Sequence, residues 1–380
     1  MINPLLGLEH SGHIHLRVAL EWNAKESDLD WSDLVIFSRN RDPRQSRWLL
    51  YCLEHHIPVI YDLDDNFFSI PDGYDFSSNL EAAQLKTIIT YLKTASLVRV
   101  YAARMQHLAG QYNSSVALMT PPLDWSAIQN PPKKPSGPIK IIYATSRMSD
   151  PLATLFLPAI KAILKTYAHQ VEMHFWGYTP DEMHGYPNVH FKPLTLNYRR
   201  YLRSLSRAGF EIGLAPLIDD DFHNSKTNTK YREYGAIRAA GIYSDTELYR
   251  ACVQPGQTGL LVKNDPDEWL AALTVLIEDQ LLRRKIQEQA YQDVRSRYTE
   301  EQFESAWLEQ LSAVRRNFTG SAQAADLFRD IEKETPESAN TAHSSTLKRS
   351  LALLRSGKVK FFIQRIWLKL EQLLLLLRIR

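Results

Sequence analysis

Lys226 and Lys230 stand four residues apart, and Glu233 follows three residues later, in the run Ile212 to Asp245, IGLAPLIDDDFHNSKTNTKYREYGAIRAAGIYSD. The order is an apolar strand, an acidic loop, two lysines, then a helix opening near Thr229. A spacing of four puts both ammonium groups on one side if the helix reaches back that far, with Glu233 one turn on. Cations and a helix N-terminus thus come to the carboxyl end of a strand, where open α/β sheets bind anionic ligands. A nucleotide diphosphate fits there. The competing reading is a solvated helix face, whose i,i+3 and i,i+4 pairs contribute about 0.2 to 0.5 kcal/mol each. Aspartates 219 to 221 sit in a loop beside two lysines and read as loop solvation and helix N-terminal charge rather than a metal-binding D-x-D.

A second acidic group, Asp62, Asp64 and Asp65, follows an apolar strand in PVIYDLDDNFFSIP. D-L-D-D matches the first motif of HAD-type phosphatases, in which one Asp attacks phosphorus and another acts as acid/base beside Mg²⁺. Neither a small-residue cap insertion nor an ordered downstream Lys and acidic pair supports that alternative, and a four-residue motif has a high false-positive rate. The bland reading is that Asp65 and Asn66 cap a turn before Phe67 and Phe68. His10, His13 and His15 lie close together without an H-E-x-x-H or matching carboxylate spacing, so no metal is expected. Cys52 and Cys252 are far apart and neither begins a C-x-x-C, which points to a reducing compartment without a thiol metal site.

The elements that must position these residues alternate. In the first part, β-rich runs at Ile14 to Leu20, Leu34 to Ser38, Pro58 to Asp62, Leu97 to Tyr101 and Val116 to Met119 enclose helix-like segments such as Arg44 to His55 and Asn79 to Lys93. This is the rhythm of a parallel sheet. The stretch QNPPKKPSGP, Gln129 to Pro138, is the best domain boundary. Strands are then expected at Ile139 to Ala144, Val171 to Trp176, Val189 to Phe191, Ile212 to Pro216, Ile242 to Ser244 and Gly259 to Val262. Helices are expected at Leu152 to Tyr167, Tyr198 to Ser206 and around Glu233, with three more from Pro266 to Arg316. Residues Thr319 to Ser345 show little apolar periodicity and read as a tether.

Over 380 residues, 44% hydrophobic content with 23% charged is that of an ordinary globular chain of two to three domains. From Leu347 to Arg380, nine basic residues face one acid, Glu371; this +8 leaves −6 for the rest, against a net charge of +2. A mildly acidic body with a basic, Leu-rich tail argues against a nucleic-acid binder. It argues for an interfacial helix on an anionic membrane, or for a helix that packs on the body or a partner. The N-terminus lacks a secretory signal pattern, and no stretch of 18 or more apolar residues is present, so a cytoplasmic location is expected.

The segment APLIDDDFHNSKTNTKYREYGA resembles the donor-binding element of retaining GT-B glycosyltransferases, in the family-four-like group of polysaccharide and glycolipid biosynthesis. SDTELYRACVQPGQTGLLVKNDPDEWLAAL and LRRKIQEQAYQDVRSRYTEEQF follow in the family's order. PVIYDLDDNFFSIP and VALMTPPLD resemble first-domain elements of the same enzymes. The resemblance implies an α/β GT-B fold, two Rossmann-like doubly wound domains facing a cleft. It implies sugar transfer from a nucleotide-diphosphate donor to a glycan or lipid-linked acceptor, with retention and with no cofactor or metal. Arg147, Lys226, Lys230, Glu233 and the adjoining Tyr234 are then the donor contacts, Lys226 doubling as a catalytic group, and Asp64 or Asp65 orients the acceptor hydroxyl. The domains are an acceptor side over 1–130, a donor side over 139–316, a linker over 319–346 and a basic amphipathic helix over 347–380. The tail would place the enzyme peripherally at the inner face of a membrane.

Four departures stand out. Ser225 occupies the place of the first acid of the family's E-x7-E, Arg238 and Ala240 replace its Gly and Pro, and Tyr143 to Arg147 replaces a Gly-rich turn. The first domain starts on a single strand at Ile14 where an earlier strand and turn are expected, as in a trimmed version or one whose start lies upstream. A binding subunit that kept the cleft but lost turnover is therefore the leading alternative, the phosphatase the second.

Overall fold

The computed structural model describes residues 2–71, 82–129, 137–146, 151–318, 322–333 and 373–379. The chain forms two units, Met1–Met119 with Glu304–Arg380, and Thr120–Phe303.

In the first unit, strands β1 (Ile14–Leu20), β2 (Leu34–Ser38), β3 (Val59–Asp62), β4 (Leu97–Val100) and β5 (Val116–Leu118) form where the apolar runs predict them. β2 to β5 pair in parallel. Helices α1 (Ile2–His10), α2 (Glu26–Trp31), α3 (Arg47–Glu54), α4 (Ala82–Thr94) and α5 (Ala103–Gly110) alternate with them. β2 is buried at every position, as a parallel strand covered on both faces must be. Its core gathers Val35, Phe37, Ile88 and Tyr91, with Tyr61 stacked on Tyr91 at 4.8 Å.

The second unit is a wholly parallel sheet. Its strands are β6 (Ile139–Ala144), β7 (Val171–Trp176), β8 (Val189–Lys192), β9 (Ile212–Ala215), β10 (Ala240–Ser244) and β11 (Leu260–Val262), in the spatial order β11-β10-β9-β6-β7-β8. Helices α6 (Leu157–Thr166), α7 (Tyr198–Arg207), α8 (Asp221–Asn224), α9 (Thr229–Ala236), α10 (Glu247–Arg250), α11 (Pro266–Glu278) and α12 (Gln280–Arg297) complete it. The order reverses between β6 and β9, so the loops leaving those strands flank the crevice in which doubly wound sheets hold ligands. Two glycines let backbone and ring approach. Gly177, at φ +88°, would set a Cβ 1.8 Å from the Thr145 carbonyl oxygen, and a Cβ on Gly213 would come 2.5 Å from the Tyr234 ring.

Helix α13 (Glu300–Asn317) begins in the second unit and ends in the first. The two units divide along the chain after Met119 and after Phe303. The Arg99 guanidinium lies 3.1 Å from the Trp307 ring centroid, and Gln310 reaches Met119 at 2.8 Å, which ties the later part of α13 to the first unit. Two stretches of the C-terminal region take regular structure. Within the supposed linker, residues Ala322–Lys333 form helix α14, which buries Ala325 and Phe328 against α3 and α4. That i,i+3 pair is a stripe too sparse to stand out among Ser, Ala and Glu. Residues Leu373–Ile379, assigned to an amphipathic helix, form strand β12, antiparallel to both β1 and β2 and lying between them. Five consecutive leucines suit a strand paired on both sides. Residues 334–372, with most of the proposed tail, lie outside the described residues.

Candidate functional site

The chain leaves β9 at Pro216 and folds α8 before the turn that carries Lys226. Asp220 caps α8, accepting from the His223 N–H at 2.7 Å, and Asp219 accepts from the Asn224 amide at 2.7 Å. The aspartate run thus closes a helix start, as its sequence implied. Ser225, in the place of the missing acid, is buried and donates its hydroxyl to the Asp221 carbonyl at 2.6 Å, facing back into its own turn. Lys226 is half-buried, its Nζ 4.1 Å from the Phe222 ring centroid.

Helix α9 opens at Thr229. Asn228 forms no side-chain cap; its amide instead accepts from Arg232 Nε at 3.1 Å and donates to the Tyr298 hydroxyl at 2.8 Å. Arg232 also donates to the carbonyls of Pro121 and Pro122, at 3.2 and 2.9 Å, which pins the start of the unit to the helix. Burial lowers its pKa. One turn into α9, Glu233 is almost fully buried and accepts from Lys230 Nζ at 2.7 Å and from the Tyr201 hydroxyl at 2.9 Å. Lys230 keeps 26% of its side chain exposed and also reaches the Tyr201 oxygen at 3.2 Å. The structure thus joins Lys230 and Glu233 through Tyr201. Sequence spacing gave no sign of that tyrosine, 32 residues upstream.

Tyr234, expected among the donor contacts, lies in the core of the second unit. Fully buried, it donates its hydroxyl to the Leu214 carbonyl at 2.8 Å and packs under β9, facing the core rather than a ligand. A helix turns by about 100° per residue, so Tyr234 points to a different side from its neighbour Glu233. Arg147 lies outside the described residues. Arg238, at the family's glycine, adopts φ +56°, the left-handed region that glycine enters without strain. Its guanidinium is held by Glu288 at 3.0 Å and stacks on Tyr291 at 3.4 Å. Ala240 stands where the family has proline, and its N–H donates to the Glu211 carbonyl at 2.8 Å, a bond proline could not make.

In the first unit the three aspartates part company. Asp62 is fully buried, accepts from the Tyr101 hydroxyl at 2.7 Å and lies 3.5 Å from Arg99. Burial pushes its carboxyl up and Arg99 down, against their mutual attraction. A phosphatase nucleophile must meet solvent-borne phosphate, so the HAD reading fails at its first residue. Asp64 and Asp65 instead both pair with Arg39, itself at φ +55°, at the carboxyl ends of β2 and β3. Asn66 accepts from the Phe68 N–H at 3.0 Å, the turn cap expected there. One group went unnoticed in the sequence. Glu21 follows β1, is almost completely buried, accepts from the Asn40 amide at 2.7 Å and is pushed up to about 7 by burial.

Residues 155–309 match the family described as Glycosyl transferase-like. No curated protein matches the sequence. Anabaena HepE, solved in complex with UDP, is similar in structure at a TM-score of 0.55 and 13% identity over 72% of this chain and 77% of that one. Sucrose-phosphate synthase from Thermosynechococcus elongatus aligns at 0.53 and 14%, over 71% and 72%. A point mutant of S. aureus TarM, solved with UDP and α-GlcNAc-glycerol, gives 0.51 and 12% over 66% of this chain, which spans 50% of its length. At these identities the likeness shows the fold, that of GT-B glycosyltransferases.

Proposed function

From the premise of a GT-B glycosyltransferase fold whose residues 155–309 match the glycosyl transferase-like family, we propose that this chain transfers a sugar from a nucleotide-diphosphate donor to a glycan or lipid-linked acceptor. The configuration at the anomeric carbon is retained, and the product belongs to surface polysaccharide or glycolipid assembly. The observation that carries the reading is the Lys230–Glu233–Tyr201 group at the carboxyl side of β9, beside a helix start without a side-chain cap. HepE, similar in fold, is solved with UDP-glucose, which favours a uridine nucleotide here.

In this mechanism the bond from the anomeric carbon to the phosphate oxygen breaks, and the developing charge is met by Lys226, Lys230 and the start of α9. The acceptor oxygen bonds the carbon on the same face and gives its proton to the departing phosphate. Glu233 holds donor hydroxyls while Lys230 and Tyr201 fix its position. Asp64 and Asp65, held by Arg39, are the acceptor-orienting carboxylates of the first unit. Residues 347–372 supply the basic segment for an anionic inner membrane face. One observation favours a binding subunit without turnover, the Ser225 hydroxyl turned into its own helix where an acid is expected. A thermal-shift screen of nucleotide sugars, followed by transfer of labelled sugar to extracted glycolipids, tests both. Stabilisation with transfer supports the enzyme, stabilisation without transfer the binding subunit, and no stabilisation removes both.

A further inference from the structure

Glu172 and His174 lie two apart on β7, and His190 stands directly opposite His174 on β8. Alternation along a strand puts Glu172 and His174 on one face of the sheet, and the register brings His190 onto it. The Nε2 atoms of His174 and His190 lie 3.3 and 3.8 Å from the same Glu172 oxygen, Oε2, and the three ligand atoms fall within 4.8 Å of one another. The two imidazoles are stacked at 4.6 Å, with the edge of Phe210 against His174 at 5.1 Å. We propose that Glu172, His174 and His190 form a binding site for a divalent transition-metal ion of the zinc class.

The argument is geometric. Zinc held at about 2.0 to 2.2 Å from its ligands in a tetrahedron sets the ligand atoms roughly 3.3 to 3.6 Å apart. Two edges of this triangle are already close to that length. Two imidazoles and one carboxylate suit zinc, and three protein ligands leave a fourth position for water. His190 keeps 48% of its side chain exposed, against 16% for His174 and 25% for Glu172, so the triangle is open at His190, while Phe210 packs against His174. The backbone fixes the spacing, because both histidines stand in register on paired strands. Lys140 stands opposite Glu172 in the register of β6. The site lies along the middle of β7, whereas the donor residues follow the carboxyl end of β9. Its role is to clasp the four-residue edge strand β8 to the sheet. It does not depend on the proposed transferase reaction.

The test uses the full chain, stripped by chelator and titrated with Zn²⁺ in competition with a chromophoric chelator. One zinc per chain is expected, with a rise in melting temperature on addition. His190→Gln, tolerated at a half-exposed position, and Glu172→Gln should each weaken binding at least about 10-fold, since ligands matter no less than the groups that orient them. Both should melt near the metal-free wild type. Co²⁺ should give visible bands of tetrahedral coordination that His190→Gln abolishes. His13→Gln, in the N-terminal histidine group, should change nothing. Failure of the wild type to take one equivalent, equal binding by His190→Gln and Glu172→Gln to that of the wild type, or loss of binding in His13→Gln overturns the assignment.

Discussion

Lys230 Nζ lies 2.7 Å from Glu233 Oε2, three residues along one helix, and that carboxylate is almost wholly withdrawn from water. A surface pair at this spacing contributes a few tenths of a kcal/mol, but here removal of the lysine leaves a buried charge met by the neutral hydroxyls of Tyr201 and Tyr198. Structure and ligand binding can therefore be separated. Lys230→Ala should destabilise the second unit by about 3 kcal/mol, and Lys230→Ala with Glu233→Gln should restore most of that loss. Nucleoside-diphosphate affinity should fall about 10-fold or more in Lys226→Ala, Lys230→Ala and the double variant alike, as loss of a charge-assisted bond requires. Calorimetry with the nucleotide decides, and unchanged affinity in all three sinks the donor assignment.

Asp62→Asn should behave as a stability variant. It removes the counter-charge of the fully buried Arg99, at a cost of about 3 to 5 kcal/mol. Phosphate esters incubated with the wild type and Mg²⁺ should not be hydrolysed. Mg²⁺-dependent turnover lost in a folded Asp62→Asn protein would restore the phosphatase.

Glu21 predicts a pH dependence. Burial raises its carboxyl from 4.5 to about 7, so between these values the folded chain binds more protons than the unfolded one. Stability is then greatest below about pH 4.5 as far as this group is concerned, and declines as pH rises toward 7, by roughly 3 kcal/mol at most. Glu21→Gln should remove that decline, visible as a flatter melting temperature between about pH 5 and 8. Parallel profiles for the two proteins would show that Glu21 is ionised in the fold.

The C-terminal strand makes a fourth prediction. Leu375 pairs with Val18 on one side and Ile36 on the other. Leu375→Pro removes a donor inside a doubly paired strand and should cost about 3 kcal/mol, read as an earlier melting of the first unit. An interfacial helix would pass the same substitution without effect on melting, and that result would displace β12.

Local chemistry wrote much of this protein into its sequence. The apolar runs at Ile14–Leu20, Leu34–Ser38, Ile139–Ala144 and Val171–Trp176 became strands with those bounds, and α9 opened at Thr229, because period and turn residues act over a few positions. The spacing of Lys226, Lys230 and Glu233 about the start of α9 was legible for the same reason. What required the tertiary structure was every partner distant along the chain. Tyr201 reaches Glu233 from α7, Arg39 holds Asp64 from 25 residues away, and Asp62 is buried against Arg99. The fate of the leucines at 373–377 was likewise undetermined locally, since an apolar run serves helix or strand equally well. Only the place between β1 and β2, far upstream in the chain, made them a strand. His174 and His190 meet for the same reason: strand register, set by the whole sheet, decides which side chains stand opposite one another.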